Sequence, residues 1–170
     1  MDVKNIFVES YQPKWKDDFK KIAIEIEEAL PGLILRIEHV GSTSVNGLAA
    51  KPIIDMDIVI KDYSVFEEVV ECLHSIGYIY EGDLGIKDRH AFMYEGKTHL
   101  QEHHIYVCPE DSNELHRHTA FRDYLRLHPK AVQEYGEIKM EAAKLYPHDI
   151  EKYLKHKGTF ISQVYSELGL

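Results

Sequence analysis

The chain has 170 residues, 44% of them apolar and 29% charged, a length that suits a single domain spanning 1–170 and able to bury roughly 70% of its unfolded surface without disulfides or metals. Its net charge of −9 excludes a protein whose main task is gripping nucleic-acid backbone, so no nucleic-acid partner is expected, although a local basic pocket remains compatible with it. No apolar run approaches a membrane span, Met1 to Asn5 lack the apolar core of a leader, and Cys72 and Cys108 stand apart as free thiols, which together predict a cytoplasmic protein with no membrane contact.

Trp15, Phe19, Ile22, Ile26 and Leu30 recur at helical spacing after Pro13, and Pro31-Gly32 ends that helix. Leu33–Glu38 suits a strand, and Gly41–Lys51 a loop that can run into a short helix. Pro52 opens a strand over Ile53–Ile60, apolar on both faces except for Asp55 and Asp57, and therefore interior to its sheet. Ser64-x-x-Glu67 reads as a capping box for a helix with Phe66, Val69, Val70 and Leu73 inward. Gly77 closes it. A short strand over Tyr78–Glu81 and a polar loop over Gly82–Arg89 follow, then strands His90–Tyr94 and Leu100–Cys108 around a turn at Glu95-Gly96-Lys97. From Ser112 the chain is helical to its end, broken at Pro129 and Pro147. The helical period there places Val132, Ile138, Ala142 and Leu145 inward, and then Ile150, Leu154, Ile161, Val164 and Leu168. The order predicts an α+β fold: a mixed sheet core over about 33–108 and a helical C-terminal third over about 112–170.

The chemistry concentrates in one stretch. Gly41-Ser42 is followed, after twelve residues, by Asp55-x-Asp57. Two residues apart on a strand, the two carboxylates point to one face, where their repulsion calls for a cation such as Mg2+ between them. Glycine lets backbone N–H groups approach a phosphate closely, so Gly41 and Ser42 are candidates to cradle a triphosphate. The plain alternative is an aspartate pair that caps neighbouring loops.

The spacing apolar-Gly-Ser…Asp-apolar-Asp resembles the nucleotidyltransferase, or polymerase-β-like, superfamily. The wider stretch Glu38-His-Val-Gly-Ser-Thr-Ser-Val-Asn-Gly-Leu-Ala-Ala-Lys-Pro-Ile-Ile-Asp-Met-Asp57, with Phe121-Arg-Asp-Tyr-Leu-Arg126 and Asp149…Tyr153…Lys157, resembles the GrpB family within it. The resemblance implies a nucleotidyltransferase-like fold over nearly the whole chain. It implies magnesium on Asp55 and Asp57, a nucleoside triphosphate as substrate and an acceptor whose identity the sequence does not carry. A third carboxylate is expected from the later strand, where Glu102, His104 and Tyr106 alternate onto one face. Glu102 is then a catalytic acid, or His104 a ligand or general base. Tyr106 stands where the family's His-x-His pattern places its second histidine, which weighs against a ligand there. Lys51, Arg89, Arg122 and Lys139 are the candidate phosphate-binding cations, with surface pairing the alternative for each. His39 either orients the Gly41 loop or is a satisfied buried histidine. Two readings follow: a Mg-dependent nucleotidyltransferase acting on a small-molecule or protein acceptor, and a non-catalytic nucleotide- or cofactor-binding module on the same fold. Oligomeric state is left open.

Overall fold

A computed structural model describes residues 5–170; of the N-terminal stretch read above as lacking a leader, residues 1–4 lie outside that range. Helix α1 (Lys14–Ala29) is followed by strand β1 (Arg36–Val40), a 3-10 turn at Ser42–Ser44 and strand β2 (Ile54–Ile60). Helix α2 (Phe66–Ser75) leads to strands β3 (Ile79–Tyr80), β4 (His90–Met93) and β5 (His103–Pro109). Helices α3 (Asn113–Leu127), α4 (Pro129–Leu145) and α5 (Ile150–Leu168) complete the chain. The sheet order is β1-β2-β5-β4-β3. Only the β2–β5 pair is parallel; the others are antiparallel, so the sheet is mixed and the architecture α+β.

Strand alternation sorts β2 into two faces. Ile54, Met56, Ile58 and Ile60 are fully buried with Trp15, Ile22 and Ile26 of α1 and with Val69 and Leu73 of α2. Each such aliphatic side chain contributes about 1.5–3 kcal/mol on leaving water. Asp55, Asp57 and Val59 face the other way; there Val59 packs with Cys108 and Leu115 of α3. The α3–α5 helices therefore cover the face that carries the carboxylates. Pro129 occupies the first turn of α4, where its missing N–H costs nothing.

Four local expectations shift. Leu33 belongs to a turn, its N–H donating to Leu30 O, so β1 starts at Arg36. The cap before α2 is Asp62, whose carboxylate accepts from Ser64 N, and Tyr63–Val65 form a 3-10 turn, so Ser64 is not the capping residue. Strand β5 starts at His103, after a turn in which Leu100 N donates to Lys97 O. Finally, Ala142 and Val164 are buried as expected, but Leu145, Ile150, Leu154 and Leu168 are exposed, because α4 and α5 turn Tyr135, Lys139, Tyr153 and Phe160 inward instead. No helix of the described residues is long and apolar enough to cross a membrane.

Candidate functional site

The site lies where the loop after β1 meets the face of β2. Gly41 has φ +72° and ψ −175°, a backbone region that is essentially glycine's alone. A Cβ there would sit 2.6 Å from Asp55 Oδ2, so glycine is required both by conformation and by the close approach of the carboxylate. The turn is braced from several sides. Ser44 Oγ donates back to Gly41 O. His39 Nε2 lies 2.9 Å from Thr43 Oγ1, and its ring stacks on Phe19 at 4.5 Å. Burial, then the charge of Arg126, pushes the His39 pKa down to about 4, so the ring is neutral. His39 is thus both a loop-orienting and a satisfied, largely buried histidine.

The two aspartates differ. Asp55 is one-third exposed, and His104 Nδ1, directly opposite it on β5, donates to Oδ1 at 3.2 Å. That bond raises the His104 pKa, against the opposing effect of burial. Asp57 is 0% exposed, and its Oδ2 accepts from His118 Nδ1 at 2.7 Å. His118 Nε2 reaches Glu114 Oε1 at 3.3 Å. Burial alone would discharge the His118 imidazole, but its bonds to Asp57 and Glu114 hold its pKa up to about 9. Burial likewise pushes the Asp57 carboxyl up, and the imidazolium pulls it back. Arg89 sits on this side too, its guanidinium carbon 4.5 Å from the Tyr106 ring centroid. Neither Arg89 Nε nor Asp57 Oδ1 has a hydrogen-bond partner among the described residues.

On the Asp55 side a cavity of about 140 Å³ is lined by Ser42, Lys51, Asp55, His104, Lys139 and Lys157, with Tyr153 at its wall. Lys51 and Lys157 lie 5.2 and 5.3 Å from the Tyr153 ring centroid, and Lys139 lies 4.6 Å from that of Tyr135. Lys139 is only 2% exposed, and its Nζ has no hydrogen-bond partner among the described residues. Burial, followed by repulsion from Lys157 and Lys51, holds the Lys139 pKa well below that of a free lysine. Burial and then Lys51 bring Lys157 down to about 8. Three lysines gathered around one carboxylate concentrate positive charge where an anion would be favoured.

The structure therefore brings Gly41, Ser42, Lys51, Asp55, His104 and Lys139 together, with Asp57 and Arg89 in the adjoining layer. It does not bring Glu102 or Arg122 there. Glu102 precedes β5, is exposed, and lines a separate cavity with Lys51, Pro52 and Ile53. Arg122 bridges α3 to β1, donating to Glu38 Oε2 at 2.7 Å and His39 O at 3.0 Å, and also to Asp123. Arg126 is similarly engaged, with Nη2 2.8 Å from Ser44 O. His118, Glu114, Tyr153 and Lys157 were not among the sequence-derived site residues. A signal for the first two existed: Glu114, His118 and Arg122 recur every four residues, a polar stripe on one face of α3.

Whether these residues suit a magnesium ion can be judged from their oxygens. Asp57 Oδ1 is a buried oxygen without a donor, and Asp55 Oδ2 is not engaged by His104. Among the described residues no group of three or more His, Cys, Asp or Glu side chains is arranged to hold an ion. Magnesium does not need such a cage, since it keeps waters and takes one or two carboxylates plus substrate phosphates. The pair would fit an ion that draws its remaining ligands from water or from a phosphate.

The fold is similar to that of a known class. Cid1 poly(U) polymerase, in complex with its product ApU, superposes with a TM-score of 0.55 over 79% of this chain and 42% of its own, at 13% identity, a likeness of fold. The fold is that of the nucleotidyltransferases. Within it, a family model described as GrpB protein matches residues 5–167, and the chain belongs to the GrpB family. The crystal structure of conserved protein GrpB from Enterococcus faecalis matches with a TM-score of 0.77 and 31% identity, covering 94% of this chain and 99% of that one. UPF0157 protein YqkA of Bacillus subtilis is 33% identical over 151 residues, 89% of this chain, which spans 43% of YqkA's length.

Proposed function

We propose that this protein is a magnesium-dependent nucleotidyltransferase that moves a nucleoside monophosphate from a triphosphate to a small-molecule or protein acceptor. The observation that carries the reading is the buried, unpartnered Lys139 Nζ facing the same cavity as Lys51, Lys157 and Asp55. A triphosphate is an anion that this cluster of lysines would attract, and the close approach of Gly41 to Asp55 would set its phosphates beside the carboxylates. Cid1 with bound MgATP offers a precedent on the same fold.

In this scheme the acceptor oxygen attacks the α-phosphorus, the bond to the bridging oxygen of the β-phosphate breaks, and pyrophosphate leaves with that electron pair. A magnesium ion held by Asp55 and Asp57 would offset charge on the phosphates. Lys51, Lys139 and Lys157 hold the leaving pyrophosphate. His104, oriented through its Nδ1–H by Asp55, takes the acceptor proton at Nε2. A second reading, a nucleotide-binding module without turnover, is favoured by one observation: the His118 imidazolium already balances Asp57.

Calorimetry with a nucleoside triphosphate, with and without magnesium, tests the first step. Wild type is expected to bind, with magnesium tightening the complex and Asp55→Ala removing that gain. Pyrophosphate release in an acceptor screen separates the two readings, and binding without release across the screen would favour the module. Absence of triphosphate binding in wild type would sink both.

A further inference from the structure

The triphosphate cavity is too small for a whole nucleotide: at about 140 Å³ it falls below the roughly 300–1,000 Å³ of ordinary small-molecule sites. A second cavity of about 420 Å³ adjoins it, and the two share Lys51 and Ile53 as lining residues. The larger groove behind the Gly41 loop, lined by Lys16, Asn46 and Arg126, shares no lining residue with the phosphate cavity. The wall of the adjoining cavity is apolar, made of Phe7, Pro52, Ile53 and Ile150, and Phe7 is 59% exposed. Its polar groups are few: Asn5, Glu102 and His148, beside Lys51. An apolar wall bearing an exposed aromatic ring, edged by hydrogen-bonding groups and joined to a cationic cavity, matches a planar base attached to a polyphosphate.

Resting on the nucleotide reading above, we infer that this second cavity is the nucleobase subsite, with Phe7 as its stacking surface and Glu102 as its edge reader. A carboxylate only accepts hydrogen bonds. It therefore favours a base edge with adjacent donors, and guanine, with N1–H and the N2 amino group side by side, matches its two oxygens. The Asn5 amide supplies a donor suited to the guanine O6. Uracil offers one donor between two acceptors and fits less well. The exposed Glu102 thus acquires a role in choosing the nucleotide rather than in holding metal.

The test is calorimetry with inorganic tripolyphosphate, GTP and UTP, each with magnesium, on wild type, Phe7→Ala and Glu102→Gln. Wild type is expected to bind GTP at least about tenfold more tightly than tripolyphosphate, the scale of one base stacked on an aromatic ring. Phe7→Ala should remove most of that gain. Glu102→Gln should narrow the preference for GTP over UTP. Both variants should keep their tripolyphosphate affinity within about twofold, since neither residue lines the phosphate cavity. If tripolyphosphate binds but nucleotides bind no tighter, or if neither substitution alters GTP binding, the base subsite is wrong while the phosphate cavity stands. If neither tripolyphosphate nor nucleotide binds, both readings fall together.

Discussion

The two ends of the β2 carboxylate face are built on opposite terms. At Asp57 the protein supplies a counter-charge of its own: His118 and Glu114 form ion pairs behind the buried carboxylate, only its Oδ1 being left without a donor among the described residues, and nearby Arg122 and Arg126 tie α3 to β1 and to the Gly41 turn. At Asp55 it does not: three lysines meet one partly exposed carboxylate, and Lys139 Nζ, set over the Tyr135 ring, has no hydrogen-bond partner among the described residues. The closed side holds the scaffold in register. The open side carries charge that the fold alone leaves uncompensated, which is a cost in stability and an opportunity for an anionic ligand.

The contrast can be broken most directly at the aspartates. Asp57→Ala should lower unfolding free energy by about 2–3 kcal/mol, because it removes one of the two carboxylates that balance the His118 imidazolium, whereas Asp55→Ala should cost under about 1 kcal/mol. Urea denaturation of the two variants compares them, and equal losses would erase the distinction.

The next effect is a pH dependence. His39 is neutral in the fold and titrates near 4, against 6.5 for a free imidazole. As pH falls from about 6.5 to about 4, the unfolded chain takes up a proton that the folded ring refuses, so stability is lost on acidification, by up to about 3 kcal/mol. The unfolding free energy of wild type minus that of His39→Gln should therefore shrink over this window and be flat above pH 7.5. A difference that grows on acidification would mean the ring is charged in the fold.

Smaller again is Arg122→Ala, expected to cost about 2 kcal/mol through lost charge-assisted bonds to Glu38 and His39 O. Triphosphate affinity, measured well below the melting transition, should change little, and a large drop would move Arg122 into the site.

A further small change in stability has the opposite sign. Lys139→Met should raise unfolding free energy by about 1 kcal/mol, by removing a buried amine without a partner, while weakening triphosphate binding by about tenfold or more. Thermal melts with and without tripolyphosphate read both at once. Destabilisation by Lys139→Met would show the open side to be as structural as the closed one.

Some of this was written locally in the chain. The Trp15–Leu30 stripe, the two-faced apolar run of β2 and the breaks at Pro129 and Pro147 each depend on neighbours within a few residues, so the α+β order and the interior place of β2 were legible. The Gly41-Ser42…Asp55-x-Asp57 spacing was legible too, because a strand's alternation alone puts both carboxylates on one face. What the period does not encode is which face of a late helix turns inward when a polar side chain is buried and a leucine is not. Lys139 is buried where Leu145 is not, and of the two readings open for Arg122 the structure shows pairing, with a partner, Glu38, that lies on a strand 84 residues away. His118 is 61 residues from Asp57, and nothing local to either announces the pair. Sequence by itself determined the elements, the family resemblance and the carboxylate strand, all consequences of short-range backbone geometry. Only tertiary structure decided which charges pair inside the fold and which stay without a hydrogen-bond partner among the described residues, because that depends on distances between residues far apart along the chain.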